Sequence, residues 1–443
     1  MAVIAKRATR IGVVTASVAV AAALVLSGCS ATSSSPTKDS GEKSLTVWFP
    51  GNNETEINLV EKKIVPAFEK KTGAKVQVTY VDWGDISTKL NSAFAAGTAP
   101  DVFGHGPAAA ADFVANGRLS SLDSHVKGLS TADRKDLAAA LPGGRVDGKQ
   151  YLMPLSNQGS LIMYDAAAFT ASGLDPDKPP TTWPALLTAA KKLTERDSSG
   201  QITRSGLLLP SQDIGRQQTF ATLLAGAGGS QLNASGTKIL WDSAAGTKAL
   251  SYFASLYDEK DGVSASLGQD YSNAPVNQQP ILLGTAAMAM MSSTSMEQVV
   301  ASGTEKDLRV MPPLSFPGNK PAALEGAGPG LMINSDSDEQ SLAWKFISYF
   351  IDSKVNSEYT QGIGAIPLRA SAAQTSAVKN DPILQAFLKA APNGTSNPNV
   401  PSWVQVRDIV DKHLEQALHG TVPAKEALQQ AATEALPVLK ANG

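Results

Sequence analysis

Polar and aromatic side chains stand directly after the first two strands that the sequence predicts. Asn52 and Asn53 follow the first apolar run, and Asp82 and Trp83 follow the second. An asparagine amide can donate to and accept from a pair of hydroxyl groups, and a carboxylate beside an indole can hold a sugar ring by hydrogen bonding and stacking. The alternative role of the asparagines and of Asp82 is to cap the helices that follow.

The other chemically active residue types favour binding over catalysis. The sequence has one cysteine and four histidines, and it contains no HExxH pair, GxSxG motif or phosphate-binding loop. We therefore expect no metal and no cofactor. The 40 aspartates and glutamates leave open a pair of carboxyl groups suited to glycoside hydrolysis, so a secreted carbohydrate-active enzyme stays an alternative.

The N-terminus has the pattern of an export signal. Basic residues precede a small and apolar run that ends at Leu26-Ser27-Gly28-Cys29. This pattern resembles a bacterial lipobox, which predicts a signal peptide at 1–28, lipidation of Cys29 and a location at the extracytoplasmic face of the membrane. Residues 29–43 are too polar to bury a core, so we expect a flexible tether. A signal-anchor helix with an incidental cysteine is the alternative.

Length and composition indicate a large globular region behind this tether. The chain has 443 residues, of which 42% are hydrophobic and 18% are charged, so we expect two lobes. The net charge of −2 argues against a nucleic-acid partner, because binding to phosphates needs clustered cations.

Strand-like and helix-like segments alternate from residue 44 onward. This alternation predicts an α/β fold with mostly parallel sheets that are flanked by helices. A threonine followed by Trp-Pro predicts a capped helix after Thr182. The predicted strands lie at 45–49, 74–80, 151–154, 161–164, 202–209, 286–291, 308–311 and 331–333. Further helices are predicted at 56–71, 86–95, 216–225, 244–256, 339–351, 401–417 and 424–436.

A series of short motifs resembles family 1 extracellular solute-binding proteins of ABC transporters, the group that contains the maltose-binding protein. The resemblance implies two lobes joined by a hinge that the chain crosses near Ser156, near Gly326–Gly330 and near Pro367. It implies lobe 1 at 44–156 plus 328–366 and lobe 2 at 157–327 plus 367–443. The motifs are Leu45-Thr46-Val47-Trp48, Phe68-Glu69-Lys70-Lys71-Thr72-Gly73, Gly97-Thr98-Ala99-Pro100-Asp101-Val102, Gly148-Lys149-Gln150-Tyr151-Leu152-Met153-Pro154, Pro180-Thr181-Thr182-Trp183, Ala343-Trp344-Lys345-Phe346-Ile347 and Gly364-Ala365-Ile366-Pro367.

The resemblance also implies ligand contacts on both lobes. These candidates are His105, Gly106, Asn157, Gln158, Arg216, Gln217, Ser292, Ser293, Gly326 and Ala327. Gln158 stands where the maltose-binding protein has a ligand-binding carboxylate, which puts the identity of the ligand in doubt. The serines could instead be cap residues, and the glycine could serve hinge flexibility.

The resemblance implies a monomeric protein that captures a carbohydrate, from mono- to oligosaccharide, and delivers it to the permease subunits of an ABC importer. The candidate loops offer mainly amides and the Asp82 carboxylate beside the aromatic face of Trp83, which suits a neutral, hydroxyl-rich solute. Arg216 is the nearby cation, so a phosphorylated solute such as a glycerol phosphate stays an alternative ligand.

Overall fold

A computed structural model describes residues 43–265 and 267–441. Two five-stranded sheets form its framework. Their strands are β1 (Ser44–Pro50), β2 (Lys75–Val81), β3 (Val102–His105), β4 (Met153–Pro154), β5 (Asn157–Asp165), β6 (Met288–Ser292), β7 (Leu308–Val310), β8 (Ala323–Ala327), β9 (Gly330–Ile333) and β10 (Gly394–Thr395). Two short hairpins pair Arg145–Val146 with Lys149–Gln150 and Glu195–Arg196 with Ile202–Arg204.

Helices cover the sheets. They are α1 (Glu54–Leu59), α2 (Val65–Thr72), α3 (Ile86–Ala96), α4 (Ala110–Ala115), α5 (Asp123–Gly128), α6 (Thr131–Asp136), α7 (Ala166–Ala171), α8 (Trp183–Leu193), α9 (Asp213–Gly226), α10 (Ala244–Ser255), α11 (Pro280–Leu283), α12 (Ser293–Ala301), α13 (Gln340–Phe350), α14 (Ser353–Ile363), α15 (Ser376–Lys379), α16 (Pro382–Ala390), α17 (Trp403–Leu418) and α18 (Ala424–Ala441). Short 3₁₀ turns lie at Pro107–Ala109, Leu141–Gly144, Val276–Gln278, Ala372–Gln374 and Ala391–Asn393.

The α/β class is confirmed, but the expected strand directions are partly wrong. In the first sheet, ordered β2-β1-β3-β9-β4, β1 runs parallel to β2 and β3, whereas β9 is antiparallel to both of its neighbours. In the second sheet, ordered β6-β5-β8-β10, β5 is antiparallel to β6, β7 and β8. The cause is the chain path. β5 leads away from the first sheet and β8 leads back to it, so these neighbours must run in opposite directions.

The chain passes between the sheets at short connections. It leaves the first sheet after Pro154 and enters the second at Asn157, and it returns between Ala327 and Gly330. Near the third predicted crossing, the Asn157 side chain donates a hydrogen bond to the carbonyl of Pro367 at 2.7 Å. The exact limits of the two lobes stay a prediction.

Several elements differ locally from their predicted form. The first helix is interrupted, because Val60–Ile64 forms a π-helical turn between α1 and α2. The predicted strand at 202–209 is regular only over Ile202–Arg204. The predicted cap of α8 is confirmed, since the Thr182 hydroxyl accepts from the amide of Ala185 at 3.4 Å.

Each sheet packs against two apolar cores. Phe49 of β1 and Phe346 of α13 belong to a core on the first sheet, and Phe103 of β3 belongs to a second core on its other side. Trp183 and Trp403 are fully buried in the large core of the second sheet. Trp183 is therefore a packing residue, as its position at the start of an amphipathic helix predicts.

Candidate ligand-binding cleft

A large cleft lies where the ends of strands from both sheets meet. It encloses about 1980 Å³ and is lined by the ends of β1, β3, β6 and β8 and by the start of β5. Ligands of open α/β sheets bind at the carboxyl ends of strands, which is where β1, β3 and β6 meet this cleft. Its volume exceeds the roughly 300–1,000 Å³ that is typical of small-ligand pockets. The cleft can therefore hold a solute larger than a single sugar ring.

Most of the candidate residues line this cleft. The structure brings together, from both sheets, Asn52, Asn53, Trp83, His105, Gly106, Asn157, Gln158, Ser292, Ser293, Gly326 and Ala327. Asp82, Arg216 and Gln217 are not among the lining residues, and each of them has another place in the fold.

Asp82 lies beside the cleft wall but not in it. Its side chain is exposed, and its backbone carbonyl accepts hydrogen bonds from the amides of Asp85 and Ile86, both at 3.0 Å. Asp82 thus turns the chain into α3 through its backbone. This corrects the expectation that its carboxylate and Trp83 would hold a sugar ring together.

Arg216 is a buried structural residue, which corrects its assignment as a ligand contact. Its Nε lies 3.2 Å from Oδ1 of Asp411, and its Nη1 lies 3.4 Å from Oε2 of Glu415. Arg216 lies on the face of α9 that packs against α17, whereas Gly215 and Gln218 of the same helix line the cleft. Burial raises the pKa of Asp411 to about 7, and the attraction of Arg216 offsets that effect only in part.

Gln217 is also buried, directly behind the cleft surface. Its amide group donates to the side-chain oxygens of Gln231 and Asn397, and both of these residues line the cleft. Gln217 therefore positions two cleft residues and does not face the solute itself, which corrects its assignment as a contact.

Asn53 combines the two roles that its sequence position leaves open. Its side-chain oxygen caps α1 by accepting from the amide of Glu56 at 3.1 Å, and it also accepts from Gln298 Nε2 at 3.2 Å. Its own Nδ2 has no hydrogen-bond partner among residues 43–265 and 267–441. That amide group is available to a solute in the cleft.

His105 lies in the cleft wall with both ring nitrogens engaged. Nδ1 accepts from the amide of Gly106 at 2.8 Å, which leaves the proton on Nε2 to be donated to the Ser87 hydroxyl at 3.0 Å. Burial, and secondarily the positive charge of Arg407, lowers the pKa of His105 to about 4, so the ring is neutral near pH 7. Its contribution to the cleft is the ring itself, which meets Trp83 edge-on at 6.0 Å and 85°.

Trp83 is the aromatic side chain that the sequence predicts in the site, and two neighbours fix its position. His105 packs against its ring, and Gly51 lies under its indole nitrogen. Gly51 has φ +103°, and a Cβ at this position would lie 3.1 Å from Trp83 Nε1. Only glycine satisfies both the backbone conformation and the close approach.

Sequence reasoning missed Glu56 and Tyr359, which also line the cleft. The hydroxyl of Tyr359 donates to Glu56 Oε1 at 2.7 Å. Burial raises the pKa of Glu56 to about 7, against the lowering effect of this hydrogen bond. Glu56 lies on the first predicted helix and Tyr359 far along the chain, so no local pattern connects them.

A second missed feature is the loop 393–400, which lines the cleft along its whole length. Its sequence Asn-Gly-Thr-Ser-Asn-Pro-Asn-Val is rich in turn residues, which predicts a loop but not its location. Beyond it, Val404 and Arg407 of α17 complete this part of the wall.

Comparison with known proteins identifies the family. The profile of the bacterial extracellular solute-binding proteins matches residues 63–386, which is most of the chain. The chain is a bacterial extracellular solute-binding protein. This solute-binding protein thus belongs to the binding components of transporters, and its family implies an extracytoplasmic location.

Individual relatives cover from two thirds to nine tenths of this solute-binding protein. A solute-binding protein of an ABC transporter from Thermotoga lettingae, solved with α-D-tagatose, is 25% identical with a TM-score of 0.79, covering 90% of this chain and 100% of its own. The diacetylchitobiose binding protein DasA of Streptomyces coelicolor is 24% identical over 87% of this chain and 88% of its own. The sn-glycerol-3-phosphate-binding protein UgpB of Brucella melitensis is 25% identical over 67% of this chain and 70% of its own. The two-lobed architecture implied by the sequence is confirmed by this similarity.

The predicted signal peptide, Cys29 and nearly all of the tether lie outside the described residues. Within residues 43–265 and 267–441, no helix combines the length and the apolar character needed to cross a membrane.

Proposed function

We propose that this solute-binding protein captures a carbohydrate in the cleft and delivers it to the permease of an ABC importer. The observation that carries the proposal is the lining of the cleft, which combines amides and hydroxyls from both sheets with the aromatic ring of Trp83. Amides and hydroxyls pair with sugar hydroxyl groups, and an indole covers the apolar C–H face of a sugar ring. The relatives that bind tagatose and diacetylchitobiose support the same class of solute.

A phosphorylated solute is the second candidate. Arg145, Lys320 and Arg407 line the cleft, and guanidinium groups hold phosphates through paired hydrogen bonds. The similarity to UgpB supports this candidate. A carbohydrate is favoured because uncharged amide and hydroxyl side chains are more numerous in the lining than these three cations.

Calorimetric titration of the purified protein separates these candidates. The panel contains D-tagatose, N,N′-diacetylchitobiose, maltotriose, mannotriose and sn-glycerol 3-phosphate. We expect the tightest binding to a neutral sugar, with no release of hydrolysed product. If sn-glycerol 3-phosphate bound most tightly, the solute would be a phosphorylated compound and not a sugar. If the protein hydrolysed a glycoside, it would be an enzyme and the proposed binding function would be wrong.

We expect Trp83→Ala to weaken binding of the tightest sugar by about 1–3 kcal/mol, because a stacking face and its buried apolar area are lost. Asp82→Ala is the matched control, since it changes the adjacent residue without touching the cleft. Titration of both variants measures the difference. Equal affinities of Trp83→Ala and wild type would remove Trp83 from the site.

The membrane anchor is proposed at Cys29, after cleavage of residues 1–28. One acyl chain binds a membrane only marginally, so stable anchoring of this kind needs more than one chain. We expect Cys29→Ala to abolish incorporation of labelled palmitate and to shift the protein out of the membrane fraction. Unchanged fractionation and gel mobility would contradict lipidation at this residue.

A further inference from the structure

Helix α17 begins in an unusual way. The residue before it, Ser402, has φ 64°, in the left-handed region that residues other than glycine rarely adopt. The Ser402 side chain does not cap the helix. The amide groups at the start of a helix lack partners within it, so α17 needs an acceptor from elsewhere.

Asp112 of α4 supplies this acceptor. The amide of Ser402 donates to Asp112 Oδ1, and the amide of Val404 donates to the same carboxyl group. A carboxylate at the start of a helix satisfies its amides and interacts favourably with the helix dipole. The cap of α17 thus comes from a helix nearly three hundred residues earlier in the chain.

Asn399 makes a second connection to the same region. Its Oδ1 accepts from the amide of Ala111 at 3.1 Å, and its Nδ2 donates to the carbonyl of Arg145 at 3.0 Å. Both polar ends of this side chain are therefore used to hold the loop 393–400 against α4 and the neighbouring hairpin.

These hydrogen bonds join the cores of the two sheets. Phe113 of α4 packs with Phe103 of the first sheet, whereas Trp403 and Val406 of α17 belong to the core that contains Ile162 of the second sheet. The loop 393–400 is also bound on the side of the second sheet, where the Asn397 side chain accepts a hydrogen bond from Gln217 at 3.1 Å. The loop is thus held to both lobes and forms cleft wall between them.

We infer that Asp112 and Asn399 form a clasp between the lobes, which we define by their hydrogen bonds to Ser402, Ala111 and Arg145. The clasp positions the loop 393–400 and favours the arrangement in which α4 and α17 are in contact. A ligand shifts the equilibrium between two arrangements of the lobes only by the difference between its affinities for them. A contact that exists in one arrangement alone therefore changes the free-energy difference that the ligand has to overcome. The clasp lies in the protein itself and does not depend on the identity of the solute.

The test uses ligand-free protein, so its result is independent of the proposed function. Asn399→Ala removes one pair of hydrogen bonds and leaves the helix cap intact, and Asp112→Ala removes the cap. We expect both variants to show a larger radius of gyration in small-angle scattering than the wild type. We also expect amide hydrogen exchange to be about tenfold faster at Ala111 in Asn399→Ala and at Ser402 and Val404 in Asp112→Ala, because each of these amides loses its partner across the lobes.

Two control variants remove similar groups within one lobe. Asn233→Ala changes another asparagine of the cleft wall, whose bonds go to Ser235 and Thr237 of its own loop. Asp352→Ala removes the local cap of α14. We expect neither control to change the radius. If Asn399→Ala, folded by circular dichroism, kept both the wild-type radius and the wild-type exchange at Ala111, the clasp would be refuted.

Discussion

Arg369→Ala is expected to lower the free energy of unfolding by about 2–4 kcal/mol, because the protein loses a buried guanidinium together with its four hydrogen bonds. Arg369 is 3% exposed and follows the third predicted crossing. Its Nε and Nη2 donate to the carbonyl of Ile351 at 2.9 and 2.6 Å, and its Nη1 donates to Asp133 at 2.8 Å and Asp136 at 3.0 Å. The substitution therefore removes partners from a helix end and from two carboxylates at once.

The matched control for this prediction is Arg309→Ala. Arg309 also contacts two carboxylates, Asp177 and Asp307, but its side chain is 36% exposed. Exposed ion pairs contribute about 0–1 kcal/mol, so we expect a small effect. Urea denaturation of both variants gives the comparison. Equal losses of the free energy of unfolding in the two variants would mean that burial does not determine how much these arginines contribute to stability.

Sequence patterns reveal the features that depend on near neighbours. Thr182 caps α8 because the residues that define the cap follow it directly. Trp83 reaches the cleft because it follows β2, which runs parallel to β1, and the carboxyl end of β1 opens into the cleft. The same local reasoning misplaces Arg216. Arg216 and Gln218 belong to the same helix, but Arg216 faces α17 and Gln218 faces the cleft, and nothing in the local sequence says which face of α9 meets the solute.

The parts of the site that sequence reasoning missed depend on distant pairs. Tyr359 meets Glu56, and Asp112 caps the helix after Ser402, although each pair is far apart in the chain. Hydrophobic periodicity reports which face of an element is buried, but not which polar group lies opposite it. Such pairs follow from the way the chain crosses between the sheets, and a single sequence does not specify their register.

The wild-type protein is expected to become less stable as the pH rises, because of the buried carboxyl group of Glu325. Glu325→Gln is expected to abolish this pH-dependent loss. Glu325 is 6% exposed on β8, and its Oε1 is buried without a hydrogen-bond partner among the described residues. Gly159 and Gly394 leave room for it, since a Cβ at Gly159 would lie 2.7 Å from Glu325 Oε1 and one at Gly394 would lie 2.7 Å from Glu325 Cβ. Burial raises the pKa of this carboxyl to about 8.

The direction of the pH effect follows from this raised pKa. The unfolded chain releases the proton near the ordinary value of 4.5, whereas the folded protein keeps it until about pH 8. Stability associated with Glu325 is therefore fully present below pH 4.5 and is lost progressively as the pH rises to 8, by up to about 5 kcal/mol. A glutamine has no proton to release, so the stability of the variant stays flatter across this range.

Urea denaturation at pH 5, 6, 7 and 8 measures the difference between wild type and Glu325→Gln. Any constant cost of the amide cancels in the pH dependence, so the slope of the difference isolates the buried carboxyl. Glu426→Gln, at an exposed position on α18, controls for the loss of one carboxyl group. If the difference between wild type and Glu325→Gln did not change with pH, the carboxyl would be ionised in the folded protein. A charged group would then have to be tolerated beside Gly326 at the edge of the cleft, which burial without a partner makes energetically costly.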